Sequence, residues 1–275
     1  VTAYTDGVFR KLRAAARAVA FIVVTIGYYV FLEVAILMHR RRPREWFELR
    51  TRIYQSWGRT VAAIFGMRVR VQGVPPRPPY FFVMNHLSYV DILLAAMYLP
   101  GAKFIARHDM ANWPLLGHAA RRLDTIFVNR SSLSAVSDVC QRVEDAFRDG
   151  YGVGMAPEAT TGKGDRVLPF HPPLLEPAVR GGVPVCYAVV RFRTERGERP
   201  AYEVVSWWED ISFVAHALRL LEVRSFEATI SFGAEPVAAQ HRKQLARELH
   251  ERISAEFVPM VTADGEPLDH IDTTK

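Results

Sequence analysis

A run of 21 residues, Ala18–Met38, is apolar except for Thr25, Gly27 and Glu33. A helix rising roughly 1.5 Å per residue over that length matches a bilayer hydrocarbon core of about 30 Å. Basic residues stand on both sides, Arg10, Lys11, Arg13 and Arg17 before it and His39-Arg-Arg-Arg42 and Arg44 after it. The distribution of positive charge therefore assigns no orientation. No small-residue cleavage site follows, which argues against a secretory signal. From Trp46 to Met67 a second pattern repeats at helical spacing, with Trp46, Phe47, Leu49, Ile53, Trp57, Val61 and Phe65 separated by Glu48, Arg50, Arg52 and Arg59. It reads as an amphipathic helix with interfacial tryptophans. Two helices meeting at Arg42-Pro43 predict a hairpin that enters one leaflet and returns, with both basic clusters at anionic headgroups. The alternatives are one spanning helix or a core helix of a soluble protein.

The remainder predicts an α/β domain, because strand-like and helix-like segments alternate. Predicted strands cover 68–73, 80–84, 103–107, 125–128, 151–156, 184–192, 202–206 and 228–232. Predicted helices cover 89–99, 113–122, 134–149, 174–180 and 237–257. Pro75-Pro-Arg-Pro-Pro79 is a stiff turn outside any ladder. The organisation expected is a membrane-associating helical hairpin over 1–67, an α/β domain over 68–261 and a polar, disordered tail over 262–275. The sheet is expected to be mixed, mostly parallel and flanked by helices. The formal net charge of +6 calls for an anionic partner. No nucleic-acid motif is present, and the basic residues cluster beside the apolar run, so a membrane surface fits better than nucleic acid. Two cysteines, Cys140 and Cys186, are too few for a disulfide framework or a zinc site.

Two stretches carry chemistry. The apolar strand Tyr80–Met84 breaks into Asn85-His86-Leu87-Ser88, and Asp91 follows one helical turn later. A carboxylate there can accept from one imidazole nitrogen and leave the other free as a base. A His-x4-Asp pair recurs by chance, but this one sits at the C-terminal end of a buried strand, where α/β proteins keep their sites. A second strand, 151–156, ends at Pro157-Glu158-Ala-Thr160-Thr161-Gly162-Lys163. Ser88 raises the possibility of a Ser–His hydrolase, yet no Gly-x-Ser-x-Gly turn exists, and Ser88 reads as a helix cap.

Together these stretches resemble the glycerolipid acyltransferase family. Its Asn-His-x4-Asp motif is matched by Asn85, His86 and Asp91. Its Phe-[Val/Ile]-[Asp/Asn]-Arg motif is matched by Phe127-Val128-Asn129-Arg130, its Phe-Pro-Glu-Gly-Thr motif by Pro157, Glu158 and Thr160, and its apolar-Pro strand start by Val183-Pro184-Val185. Ala156 and Ala159 depart from the pattern. A glycine at 159 would permit positive φ, where alanine is strained.

The resemblance implies acyl transfer from acyl-CoA or acyl carrier protein to a lysolipid hydroxyl. The acceptor implied is 1-acylglycerol-3-phosphate, giving phosphatidate. Lyso-ornithine lipid and lysophosphatidylglycerol are alternative acceptors, and a lipid hydrolase or an inactive membrane-binding module are rival classes. His86 is expected to be the general base and Asp91 its orienting partner. Arg130 is expected to bind phosphate by a bidentate contact. Glu158 can hold the loop that follows by accepting from backbone N–H groups, or hydrogen-bond an acceptor hydroxyl, and the resemblance implies acceptor binding. Thr160, Thr161 and Gly162 offer donors to a phosphate or oxyanion, and Lys103 and Arg107 add charge. Arg121 and Arg122 are possible contacts for an acidic carrier. Neither a metal nor a resident cofactor is expected. Membrane lipids are expected partners, with the catalytic domain at the cytoplasmic face of the membrane.

Overall fold

A computed structural model describes residues 2–39, 43–113, 116–128, 134–262, 264–268 and 270–271. Two helices come first, α1 (Thr2–His39) and α2 (Pro43–Phe65). There follow β1 (Met67–Gln72), β2 (Phe81–Met84), α3 (Val90–Tyr98), β3 (Ala102–Arg107), α4 (Leu116–Arg122), β4 (Ile126–Val128), α5 (Ser134–Arg148) and β5 (Gly152–Met155). The last third holds α6 (Glu176–Arg180), β6 (Val185–Glu195), α7 (Ala201–Val204), α8 (Phe213–Glu222), β7 (Phe226–Phe232), α9 (Arg242–Glu256) and β8 (His270–Ile271).

The strands form one sheet in the order β1-β7-β6-β2-β5-β3-β4, with β8 beside the far end of β6. All described pairings of these strands are parallel except β6–β7. The expected mixed, mostly parallel α/β sheet is therefore the fold observed. The chain leaves β2 toward β3 on one side and leaves β5 toward β6 on the other. The two connections thus run in opposite directions, each past the other's strand, and open α/β sheets bind ligands at the carboxyl ends of the strands where the direction of connection reverses.

Sequence explains the centre of the sheet. Phe81-Phe-Val-Met84 is buried on both faces, as parallel strands between two helix layers must be. Its neighbour β5 alternates small residues because rings lie across it. A Cβ at Gly152 would meet the Tyr80 ring at 2.1 Å, and one at Gly154 would meet Phe104 at 2.9 Å. Helix α3 is buried over most of its length and lies under α2, where Gly58 allows close approach to Met97.

Helix α1 is bound to the rest of the chain along one face. The Arg13 and Arg17 guanidinium groups, expected to be free for headgroups, donate to backbone carbonyls at the end of α8, including Glu222 O at 3.2 Å and Arg224 O at 2.9 Å. Further along, Trp57 Nε1–H donates to Thr25 Oγ1 (3.3 Å), and the Tyr28 hydroxyl bonds Ser56 Oγ (2.6 Å). Leu32 and Ala35 pack on Ile53. The opposite face is apolar and exposed, with Val19, Ile22, Val23, Ile26, Val30 and Leu37.

Several expectations need correction. Residues 202–206 do not form a strand: 201–204 are α7, entered from Pro200 and burying Ala201 and Val204. Alternation over so short a run does not separate strand from helix. Helix α8 was not anticipated. Helix α9 starts at Arg242 instead of Val237, because Val237 bridges Val185. In the described part of the tail, 264–268 fold back through a Val261–Pro267 bridge and β8 pairs with β6, so disorder does not extend over all of 262–275.

Candidate active site

The site is built on two turns, one leaving β2 and one leaving β5. Asn85 ends the first strand by closing a two-way bond with Val190 of β6, donating to its carbonyl (2.9 Å) and accepting from its N–H (2.7 Å). His86 Nδ1 is 2.7 Å from Asp91 Oδ2. The same oxygen accepts from the N–H groups of Leu87 (2.8 Å) and Ser88 (3.0 Å). An ionised carboxylate only accepts, so Nδ1 carries the proton and Nε2 keeps its lone pair. Asp91 is wholly buried, while the His86 side chain retains 24% of its exposure.

Three successive peptide units in the first turn are fixed. The N–H of the Asn85–His86 unit donates to Glu158 Oε1 (2.7 Å). The His86–Leu87 unit accepts from Gly162 N–H (2.8 Å) and donates to Asp91. The Leu87–Ser88 unit accepts from Trp207 N–H (2.8 Å) and also donates to Asp91. Each unit is planar, so binding its N–H or carbonyl sets the orientation of the segment that carries the imidazole.

Glu158 is almost completely buried, and its second oxygen accepts from Leu168 N–H (2.9 Å). Burial raises its pKa to about 7, against the opposing pull of the two amide bonds. With one amide on each oxygen, Glu158 joins the two turns in this structure. Thr161 is similarly committed, its hydroxyl donating to Trp207 O, and Gly162 N–H is used on His86 O. Thr160 is exposed. Ala159 has φ 63°, so the departure seen in sequence falls at a left-handed position.

Lys103 is not at the site. It pairs in register with Val153, which is level with Phe81 at the start of β2. Its Nζ lies 3.6 Å from Asp124 and 4.4 Å from the Tyr151 ring centroid. Arg107 is paired with Asp109 at 2.9 Å. Strand β4 ends at Val128, and Asn129 and Arg130 lie outside the described residues. Ser88 does not cap α3, and its Oγ is buried without a partner among the described residues. That burial is incompatible with attack on a substrate carbonyl. Arg122 bonds Glu33 of α1 at 2.6 Å. Sequence reasoning missed Trp207, Tyr89 and His216, which brace the first turn. No spacing signal connects residues 207 and 216 to residue 87.

Two consequences are measurable. Glycine at 159 removes the left-handed penalty on alanine, which outweighs the extra freedom of the unfolded chain. Ala159→Gly should stabilise the protein by about 1 kcal/mol in denaturant unfolding. Glu158 has a folded pKa of about 7, above the ordinary glutamate value of 4.5, so the folded state binds the extra proton. Its burial cost is therefore absent at acid pH and grows as pH rises through that interval. Glu158→Gln should flatten the corresponding fall in stability between about pH 4.5 and 7, read as midpoint against pH; an unchanged slope would assign the fall to other groups.

Comparison with known proteins agrees with this geometry. The family model described as Acyltransferase matches residues 68–191, which contain both turns. The chain is 27% identical over 212 residues to the 1-acyl-sn-glycerol-3-phosphate acyltransferase of Neisseria meningitidis, covering 76% of this chain and 82% of that protein. It is 29% identical over 264 residues to the lyso-ornithine lipid O-acyltransferase of Brucella abortus, covering 90% and 94%. The crystal structure of the 1-acyl-sn-glycerophosphate acyltransferase PlsC from Thermotoga maritima superposes with a TM-score of 0.59 at 18% identity, over 87% of this chain and 97% of that one. At that identity the likeness speaks for the fold. The Asn85-His86-x4-Asp91 turn, the Glu158 turn and these relatives together place residues 68–191 in the acyltransferase family.

Proposed function

We propose that the protein moves a fatty acyl group from a thioester donor, acyl-CoA or acyl carrier protein, to the hydroxyl of a lysolipid. The observation that carries this reading is the His86–Asp91 pair, with its Nε2 lone pair free and its turn fixed by Glu158 and Gly162. His86 Nε2 takes the hydroxyl proton as the acceptor oxygen attacks the thioester carbonyl. The tetrahedral intermediate collapses, the C–S bond breaks, and the proton passes from His86 to the departing sulfur. Asp91 remains ionised and balances the transient imidazolium. Such a base contributes roughly 10²–10⁴-fold. No enzyme nucleophile is needed, because the thioester is already activated. No resident cofactor or metal enters this step.

The acceptor we favour is 1-acylglycerol-3-phosphate, with phosphatidate as product. Arg130 is proposed to bind its phosphate, and Thr160 to donate to the acceptor or the oxyanion. Glu158 and Thr161 are assigned to the framework of the site on the strength of their bonds, in place of direct substrate contact. A lyso-ornithine lipid is the second reading. It is supported by the relative from Brucella abortus and by one from Pseudomonas aeruginosa, 27% identical and 92% covered, both described as lyso-ornithine lipid O-acyltransferases.

We further propose that α1 and α2 anchor the protein in one leaflet on the cytoplasmic face. The apolar outer face of α1 is exposed while its inner face is bonded from Arg13 to Ala35. A helix so attached would have to break those bonds to cross the bilayer, so it lies along the surface.

A panel of lysolipids with labelled acyl-CoA and acyl carrier protein tests the reading. A diacyl product from lysophosphatidate is expected, and its loss in His86→Ala with the fold retained. Free fatty acid as sole product would contradict transfer. Arg130→Ala should raise the acceptor KM about tenfold or more, the scale of a lost charge-assisted phosphate contact. An unchanged KM would favour the phosphate-free acceptor.

A further inference from the structure

The segment between β6 and β7 lies beyond the matched stretch 68–191, yet it holds both catalytic turns. Trp207 N–H donates to Leu87 O at 2.8 Å, and Trp207 O accepts the Thr161 hydroxyl. One residue thus spans from the turn after β2 to the loop after β5. Its indole Nε1–H turns back to Ile211 O (3.1 Å), and its ring packs at 5.9 Å from Tyr89 and 6.0 Å from Phe213.

A buried histidine secures this residue from behind. His216 Nε2 is 2.9 Å from Ser206 O, and Nδ1 is 3.1 Å from the Tyr89 hydroxyl. A carbonyl only accepts, so Nε2 carries the proton. Burial lowers the His216 pKa to about 4 and keeps the ring neutral. Nδ1 then accepts, and Tyr89 donates. Tyr89 directly precedes α3, two residues before Asp91. His216 therefore ties the Ser206–Trp207 strap to the start of the helix that carries the catalytic carboxylate.

We infer that His216 is a positioning residue for the His86–Asp91 pair, acting through Ser206–Trp207 on the Leu87–Ser88 peptide unit. That unit has its carbonyl on Trp207 and its N–H on Asp91. If the strap shifts, the unit rotates, Asp91 loses a donor and the imidazole loses its aim. Misplacement by about 1 Å costs on the order of 10²-fold in rate. Binding of the acceptor does not pass through these bonds, so KM is spared. The inference rests on the reading of His86 as general base.

The test compares His216→Ala, His216→Gln and Thr161→Val in the full chain, with rates normalised to the folded fraction. Glutamine restores a donor toward Ser206 O, and valine removes the hydroxyl that joins Trp207 to the second turn. His216→Ala should lower kcat about tenfold or more, with acceptor KM within about twofold. His216→Gln should recover most of the loss, and Thr161→Val should show the same kcat-only decrease. Should His216→Ala not fold, the other two variants decide: glutamine near wild type with valine impaired supports the strap. Unchanged kcat in Thr161→Val, or a loss in KM alone, would overturn it. His86→Ala run in parallel separates the two claims. Residual transfer there defeats the base assignment, whereas its loss with normal kcat in the other variants defeats only the strap.

Discussion

The site depends on keeping one carboxylate charged out of contact with water. Asp91 is fully buried, and an unpaired buried charge is prohibitively costly. Three N–H donors on Oδ2 offset that cost, two from the backbone and one from His86. The compensation is also the orientation: the groups that stabilise the charge are those that aim the imidazole. Removing one therefore affects stability and catalysis together.

Around this charge the fold brings in groups remote in sequence. Glu158, from the turn after β5, grips His86 N–H, and Gly162 grips His86 O. Asn85 is held by Val190 of β6. Trp207 closes the arrangement from beyond the matched stretch. The parallel placement of β2 between β5 and β6 makes these contacts possible, since it puts the ends of the strands at one edge. In open α/β sheets that edge is where ligands bind.

Much of this was legible in the chain. Apolar runs marked β2, β5 and β6, and the two polar turns marked where the sheet carries its chemistry. The Ala159 departure pointed to a strained backbone position, and φ there is 63°. What was not legible has physical causes. Lys103 was assigned by its presence in a strand, but it lies at the opposite end, beside Asp124 and Tyr151. Thr161 was read as a ligand group from its type, whereas its hydroxyl goes to Trp207. Of the two roles the sequence offered Glu158, the bonds to His86 and Leu168 N–H match that of holding the loop. Helix α7 is too short for periodicity to distinguish it from a strand. Arg13 and Arg17 show that a basic residue beside an apolar run can face inward, where backbone carbonyls at a helix end accept from it.

The central claim is that Asp91 holds His86 with its proton on Nδ1 and its lone pair on Nε2. Nitrogen-15 NMR of protein labelled at histidine, at neutral pH, reads this directly. The account requires the His86 Nδ1 resonance to be of the protonated type and coupled to a downfield proton that disappears in Asp91→Asn, with Nε2 of the unprotonated type. A protonated Nε2 on a neutral His86 ring, or a signal indifferent to Asp91, would contradict it.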